Sequence, residues 1–420
     1  KMALPDRLVK GTCPYCGAES QYGDHCEVCG RTYNAFQLKN PRCAICGNEP
    51  VIHYSKHAFF ALSKLSSELE RWIKKDVKLT KGVREHVLHW IKEGLQDWDI
   101  TRNIKWGVPV SDLTDQVFYV WWDAPIGYVS FTKELFESIG EDWEKAWIDG
   151  DGYIVHFIGK DIIYHHVLFW PAMLMVNNFS LPNEIRVRGF ATLEGEKMSK
   201  SRGLYISLDE FIEMWPAEYL RFYWGATTSE SLDDGDFSLR EFQERINKML
   251  IGEIGNFVHR VLTLIIRNQC TEGNPYSEMI STAIGIIKRF ETAMLDNQFD
   301  VGLAYVVELA RLGNKLLSEK EPWKNPTSDD SKNTLFTTYC LVTAISVLLD
   351  SFLPNSAKKL RNTLYIKSMS TNELVSLVSK KEFISKSLIE YLRHNKSVKP
   401  LFSKIREEDI RSLRKRLRGG

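Results

Sequence analysis

Apolar positions recur along this chain in distinct rhythms, and the rhythms divide it. Residues 1–60 show no sustained period; glycine, cysteine and Asp-type turn residues are frequent there, as suits a loop module stapled by something other than a core. From 61 to about 100 apolar residues fall every three or four positions (Leu65, Leu69, Trp72, then Val87, Trp90, Ile91) and predict helices that stop near Gly94 and Asp97. Between 117 and 225 short apolar runs, 117–122 and 153–158, alternate with helical periods, the signature of strand-helix crossovers in a parallel sheet. Ligand residues should then gather at the carboxyl ends of its strands. After the acidic turn at 231–236 nearly everything to about 390 reads as amphipathic helix, with Phe242, Ile246, Leu250, Ile254, Phe257 and Val261 on one face. The basic run Arg411, Arg414, Lys415, Arg416 and Arg418 reads as a solvated helix face or frayed tail over 391–420. The expected fold is α/β followed by an all-α bundle.

With 420 residues, 44% of them hydrophobic, the chain is long enough for two or three domains, each with a core. Its 55 basic and 54 acidic residues nearly cancel, so a polyanion would have to be met by a local patch. No run approaches about 20 uninterrupted apolar residues and the first residues lack an apolar leader, which leads us to expect a cytoplasmic protein. Six of the eight cysteines crowd between Cys13 and Cys46 in Cys-x-x-Cys pairs; Cys270 and Cys340 lie alone in apolar helical sequence and read as core thiols.

In a reducing compartment such pairs imply metal before disulfide. Cys13-x2-Cys16-x9-Cys26-x2-Cys29 supplies four thiolates on two turns, the donor set of a tetrahedral structural Zn2+, with Gly17 and Gly30 just after the turns. Cys43 and Cys46 leave two arrangements open: they complete a site with Cys26 and Cys29, or hold a second ion with His53 and His57. The ordinary reading of those two histidines is polar or packing. Further on, Lys197-Met198-Ser199-Lys200-Ser201-Arg202-Gly203 places two lysines and an arginine in a loop suited to closing over phosphates, where lysine neutralises developing charge. It is not a Walker loop, since Gly-x4-Gly-Lys-Ser/Thr is absent.

The string from Lys197 to Ser201 is identical to the signature loop of class I aminoacyl-tRNA synthetases. Segments 119–128, 156–162 and 169–173 further resemble methionyl-tRNA synthetases, and the likeness runs in the family's order from about residue 5 to 390. The resemblance implies a zinc-knuckle insertion (1–60), the second half of a Rossmann-like catalytic domain (61–235), a helical anticodon-binding domain (236–390) and a basic tail (391–420). It implies that methionine is activated with ATP and Mg2+ and passed to methionine tRNA. By the same likeness Trp121, Ala124, Pro125, Tyr128, Ile162, His166 and Trp170 surround the methionine side chain. Gly159, Asp161, Arg102 and Lys200 lie by the nucleotide, Lys197 and Lys200 serve catalysis, and Asn256, Arg260 and Trp323 read the anticodon.

The residues themselves agree with such roles. Ile162, His166 and Trp170 fall at i, i+4 and i+8, one helical stripe. Asp123 before Ala124-Pro125 reads as a helix cap with proline in the first turn. Aromatic rings beside it suit a thioether, at about 0.3–1.5 kcal/mol per contact. Asn256 and Arg260 lie four apart, off the apolar face, and Trp323 is able to stack a base, worth about 1–3 kcal/mol.

One family feature is absent: no His-x-Gly-His occurs in these 420 residues. The resemblance places it, with the first strands of the nucleotide-binding fold, ahead of residue 1. An expression fragment, a nicked enzyme and a gene split into two polypeptides all fit, and the carboxyl end favours a split or cleaved protein. The expectation is therefore a ligase component that needs a separate amino-terminal half. The competing readings are a tRNA-binding module without catalysis and a zinc-dependent structural protein.

Overall fold

Tight turns build the front of the chain in the computed structural model, which describes residue 4 and residues 6–52, 54–199, 203–228 and 232–418. Strands β1 (Val9–Thr12), β2 (Gln21–Tyr22) and β3 (Lys39–Cys43) form an antiparallel sheet in the order β2-β1-β3. Beneath them lies a core of just Val9, Cys13, Cys26, Tyr33 and Leu38. The chain then pairs β4 (Phe59–Phe60) with the later β5 (Trp98–Asp99), on either side of α1 (Ser66–Lys75) and α2 (Lys81–Glu93). These helices bury Leu69, Trp72, Ile73 and Val83, Val87, Trp90; of the positions that the spacing picks out, Leu65 and Ile91 are only half-buried.

Strands β6 (Thr101–Arg102), β7 (Pro109–Val110) and β8 (Leu113–Phe118) make a second antiparallel sheet, so the 117–122 run does not enter a parallel one. It is also strand only as far as Phe118. Tyr119 is extended and helix α3 (Val120–Asp123) begins directly after it, because a short apolar run has no period that separates strand from buried helix. A 3-10 turn at Ala124–Ile126 follows, then α4 (Gly127–Ile139) and α5 (Trp143–Trp147). Asp123 lies in helical conformation and accepts no capping bond, so the cap expected there is replaced by a helix already under way. Pro125, lacking an N–H, marks the tightening.

Strand β9 (Val155–Gly159) and, after helix α6 (Trp170–Val176), strand β10 (Glu184–Arg188) form a parallel pair in register from Val155 opposite Glu184 to Gly159 opposite Arg188. Together with residues Glu230–Asp233, everything to Phe190 makes one compact unit.

The second unit, Ala191–Ser229 with Asp234–Gly420, opens with β11 (Ala191–Leu193), β12 (Glu196–Lys197), α7 (Leu208–Met214), α8 (Ala217–Thr227) and β13 (Gly235–Phe237). β11 lies parallel to β13 and antiparallel to β12. The basic-loop segment thus belongs with the helices, because Leu193, Phe211, Trp215 and Phe237 share one core with Phe242, Ile246 and Leu250. Helix α9 (Leu239–Glu244) continues through a π-helical stretch, Arg245–Gly255, into α10 (Asn256–Asn268). All six residues of its predicted apolar face are fully buried.

Helices α11 (Ser277–Leu295), α12 (Phe299–Lys320), α13 (Asp329–Leu348), α14 (Pro354–Leu364), α15 (Thr371–Ser379) and α16 (Lys381–His394) complete the bundle. α13 is buried on every side from Thr334 to Leu348, its serine and threonine residues included, as suits a central core helix; 89% of its most apolar window lies inside the protein. Buried Glu218 on α8 accepts the amides of Asn355 and Ser356, satisfying the otherwise unpaired first turn of α14. The sequence beyond 391 is no frayed tail: it ends in helix α17 (Glu407–Arg418), which buries Ile410, Leu413 and Leu417. At about 1.5–3 kcal/mol per buried aliphatic side chain, those three hold a helix too short to persist alone.

Candidate functional site

Four sulfurs converge in the front module. The Sγ atoms of Cys13, Cys16, Cys26 and Cys29 all lie within 4.8 Å of one another, with Cys13 to Cys29 at 3.9 Å and Cys16 to Cys26 at 3.6 Å. A tetrahedron of thiolates at the usual zinc-sulfur distance has edges of about 3.8 Å, so the set fits a metal ion. Each pair sits on a turn closed by a glycine amide, Gly17 to the Cys13 carbonyl and Gly30 to that of Cys26, with φ near +76° and +72°. The amides of Val28 and Cys29 point at the Cys26 sulfur. Hydrogen bonding to the Ala18 backbone brings the Cys16 thiol down to about 7, whereas burial pushes Cys29 up to about 12.

Cys43 and Cys46 form a third turn of the same shape, but Cys26 and Cys29 are already grouped with the first pair. His57 is engaged elsewhere: its ring nitrogens lie 2.6 Å from Ser55 Oγ, 3.0 Å from Thr101 Oγ1 and 3.3 Å from an Asp99 oxygen. His53 lies outside the described residues.

A wall of rings forms where α3 and α4 face the turn leading into α6. The Tyr128 hydroxyl is 2.9 Å from His166 Nε2, and His166 Nδ1 is 3.2 Å from the Ile162 carbonyl. A carbonyl only accepts, so Nδ1 carries the proton and Nε2 accepts from the tyrosine. Trp170 packs 6.2 Å from the Tyr128 ring, and Trp121 lies edge-on to His166 at 5.8 Å. Five of the seven expected residues are thus joined through contacts, Ile162 by its backbone carbonyl. Ala124 and Pro125 form the turn that starts α4. The stripe is not a plain α-helix, since a π-turn at His165–Phe169 interrupts it, a local widening often found at functional sites.

Gly159 and Asp161 sit at the carboxyl end of β9, where ligands bind in open parallel sheets. A side chain at Gly159 would collide with the Asp161 carboxylate, which lies 2.6 Å from where a Cβ would stand, so glycine lets that carboxylate fold back. Arg102, expected by the nucleotide, is held by several contacts at the front of the chain. Its guanidinium pairs with Asp6 at 2.9 Å and with Asp99 at 3.4 Å, donates to the Asp99 and Thr101 carbonyls, and lies 4.0 Å from the Tyr119 ring centre.

In the second unit, Glu194 and Gly195 take left-handed conformations at the tight turn from β11 to β12. Asp236 accepts from the Gly195 amide and the Thr192 hydroxyl, both at 2.8 Å. Lys197 ends β12, exposed, and the Ser199 amide reaches the Leu204 carbonyl at 2.8 Å. Lys200, Ser201 and Arg202 lie outside the described residues. On α10, the Arg260 guanidinium lies 4.7 Å from the ring centre of half-buried Trp323, with Asn256 exposed one turn earlier.

A family-level match described as "tRNA synthetases class I (M)" covers residues 1–262. The chain belongs to the class I methionyl-tRNA synthetase family. A methionine-tRNA ligase from Methanopyrus kandleri is 41% identical over 97% of this chain and 61% of its own length. One from Pyrococcus furiosus is 40% identical over 88% of the chain and 55% of its own. The chain therefore spans about three fifths of the length of such relatives. A solved Mycobacterium tuberculosis methionyl-tRNA synthetase in complex with methionyl-adenylate superposes at a TM-score of 0.69, with 26% identity, 81% of this chain and 69% of that one covered.

Sequence reasoning about this member of the methionyl-tRNA synthetase family missed two histidines. His165 stacks on Trp121 with centroids 4.2 Å apart, and His156 packs 4.8 Å from Tyr128 and 5.6 Å from His166. Burial depresses His156 to about 4 and His165 to about 3, and it lowers His166 as well, so the wall is uncharged at neutral pH. His156 Nε2, His165 Nδ1 and Trp170 Nε1 are buried with no partner among the described residues, polar atoms left over for a ligand or water. The π-turn that swings His165 onto Trp121 has no sequence signature. Removing the hydroxyl with Tyr128→Phe leaves buried His166 Nε2 without its donor and should cost about 1–3 kcal/mol of stability, read from the denaturation midpoint.

Proposed function

We propose that this chain supplies the amino-acid pocket, the phosphate-closing loop and the anticodon-reading face of a cytoplasmic methionine-tRNA ligase. Methionine and ATP give methionyl-adenylate and pyrophosphate; the methionyl group then passes to the 3′-terminal ribose of methionine tRNA. The observation that best supports this reading is the uncharged wall of Trp121, Tyr128, His166 and Trp170, an apolar surface with one oriented tyrosine-histidine bond, which suits a thioether.

No side-chain nucleophile is needed. The methionine carboxylate attacks the α-phosphate in line, held by the pocket, while Lys197 and Lys200 neutralise charge on the departing pyrophosphate and Mg2+ accompanies ATP. Gly159 and Asp161 lie by the adenylate. The four-thiolate cluster takes Zn2+ in a structural role, with no coordination position left for chemistry. Arg260, stacked on Trp323, and Asn256 meet the anticodon bases.

Catalysis also draws on polypeptide beyond this chain, in the proposal a separate chain carrying the remainder of the nucleotide-binding fold. In support, α4 exposes a stripe of Phe131, Leu135 and Ile139, and among the described residues β9 is paired with β10 alone. The test is methionine-dependent pyrophosphate exchange by this chain alone and after addition of an amino-terminal half-fold from the same source. Activity on mixing supports the proposal. No exchange in either case, with methionine tRNA still bound and released by Trp323→Ala, replaces it with a tRNA-binding module.

A further inference from the structure

Within α17 the arginines are not equivalent. Arg411 points outward and pairs with Glu407 one turn back on its own helix. Half-buried Arg414 and the more exposed Arg416 both reach the stems of the basic loop. Arg414 lies 3.7 Å from a Glu194 oxygen at the turn leading into the loop, and that oxygen also accepts the Leu239 amide. Arg416 Nη1 donates to the Tyr205 carbonyl at 2.9 Å and the Gly203 carbonyl at 3.4 Å, where the chain leaves the loop. Its Nη2 meets both oxygens of Glu210, at the start of α7, each at 2.5 Å.

A planar guanidinium with donors on two edges is what this position demands, since one edge takes backbone carbonyls while the other takes a carboxylate. An ammonium offers a point charge and does not span both. The helix is seated independently of these polar contacts by Ile410, Leu413 and Leu417 in the core, so the arginines arrive on a fixed platform.

We propose that α17 is a clasp on the basic loop, with Arg416 as a positioning residue that sets the loop's exit stem from more than two hundred residues away. Its catalytic consequence rests on the reading of Lys197 and Lys200 given above; the clasp itself does not. The Ser199 amide donates to the Leu204 carbonyl, so the exit stem that Arg416 holds is also the partner of the entry stem, and fixing one aligns the other.

The test is hydrogen exchange on the whole chain, paired with pyrophosphate exchange in the active assembly. Arg416→Ala should speed exchange in peptides spanning 196–206 about tenfold and leave α10 and α13 unchanged, which also shows that the variant is folded. Arg416→Lys should recover only part of the protection. In the active assembly Arg416→Ala should lower kcat about tenfold with the KM for methionine unmoved. Unchanged exchange in 196–206 overturns the clasp. Faster exchange there with unaltered kcat overturns the positioning role. If the parent enzyme forms no pyrophosphate under any condition, the proposed function fails, and the hydrogen-exchange arm still decides the clasp.

Discussion

Replacing Lys200 with alanine should cut methionine-dependent pyrophosphate exchange by about two to three orders of magnitude while leaving the KM for methionine within about twofold. The magnitude is that of removing one pre-aimed donor from a site where charge develops in the transition state. The split follows from the division of labour. In the proposed function the ring wall around Tyr128 and His166 takes the amino acid, and burial keeps its histidines uncharged. Lys200 occupies a loop whose stem at Ser199 and Leu204 is paired and whose entry is held by Asp236. An interaction made only as pyrophosphate departs lowers kcat and kcat/KM together and leaves ground-state binding alone. Equal losses in methionine binding and adenylate formation would reject the phosphate role.

Cys26→Ser should empty the metal site and unfold the front module, seen as loss of bound zinc and of amide protection from Val9 to Cys43. Cys26 is fully buried and accepts two amide hydrogens, an arrangement for a thiolate held against a cation. Without the ion, the small core of Val9, Tyr33 and Leu38 must offset an ordering cost of about 1–2 kcal/mol per residue, which it does not approach. Structural zinc supplies about 10–16 kcal/mol in comparable small modules. Cys43→Ser, by contrast, should leave the Cys13, Cys16, Cys26 and Cys29 site loaded, since those four sulfurs are already grouped without it. A metal-free Cys26→Ser chain that keeps its front module folded would remove zinc from the account.

Much of this protein is readable without coordinates because the relevant signals are local. The cysteine turns announce themselves by spacing, since two residues between sulfurs and a glycine after them leave one turn geometry available. The α9–α10 face is equally local: a period near 3.6 sustained over six positions fits one secondary structure, and all six side chains are buried. The signature loop and the pocket segments were legible as a family likeness, carried by strings of identical residues.

What the sequence left open are matters of long-range partnership. Nothing in the linear context of Arg102 announces its ion pair with Asp6, far away in the chain. The 117–122 run reads as strand, but whether it lies in a ladder or winds into a helix depends on neighbours that the run does not contain. The basic terminus reads as a solvated helix face, and Arg411, Lys415 and Arg416 are exposed on one; that burial of Ile410, Leu413 and Leu417 brings Arg414 and Arg416 to the basic loop is not legible in the run itself. His165 becomes part of the wall through a π-turn, a backbone adjustment set by packing rather than by side-chain propensity. Residue spacing thus determined which side chains travel together on one turn, helix or loop, because bonds and backbone sterics act over a few residues. The tertiary structure alone decided which of those groups meet, because a contact across a hundred residues depends on the whole packing that brings its ends together.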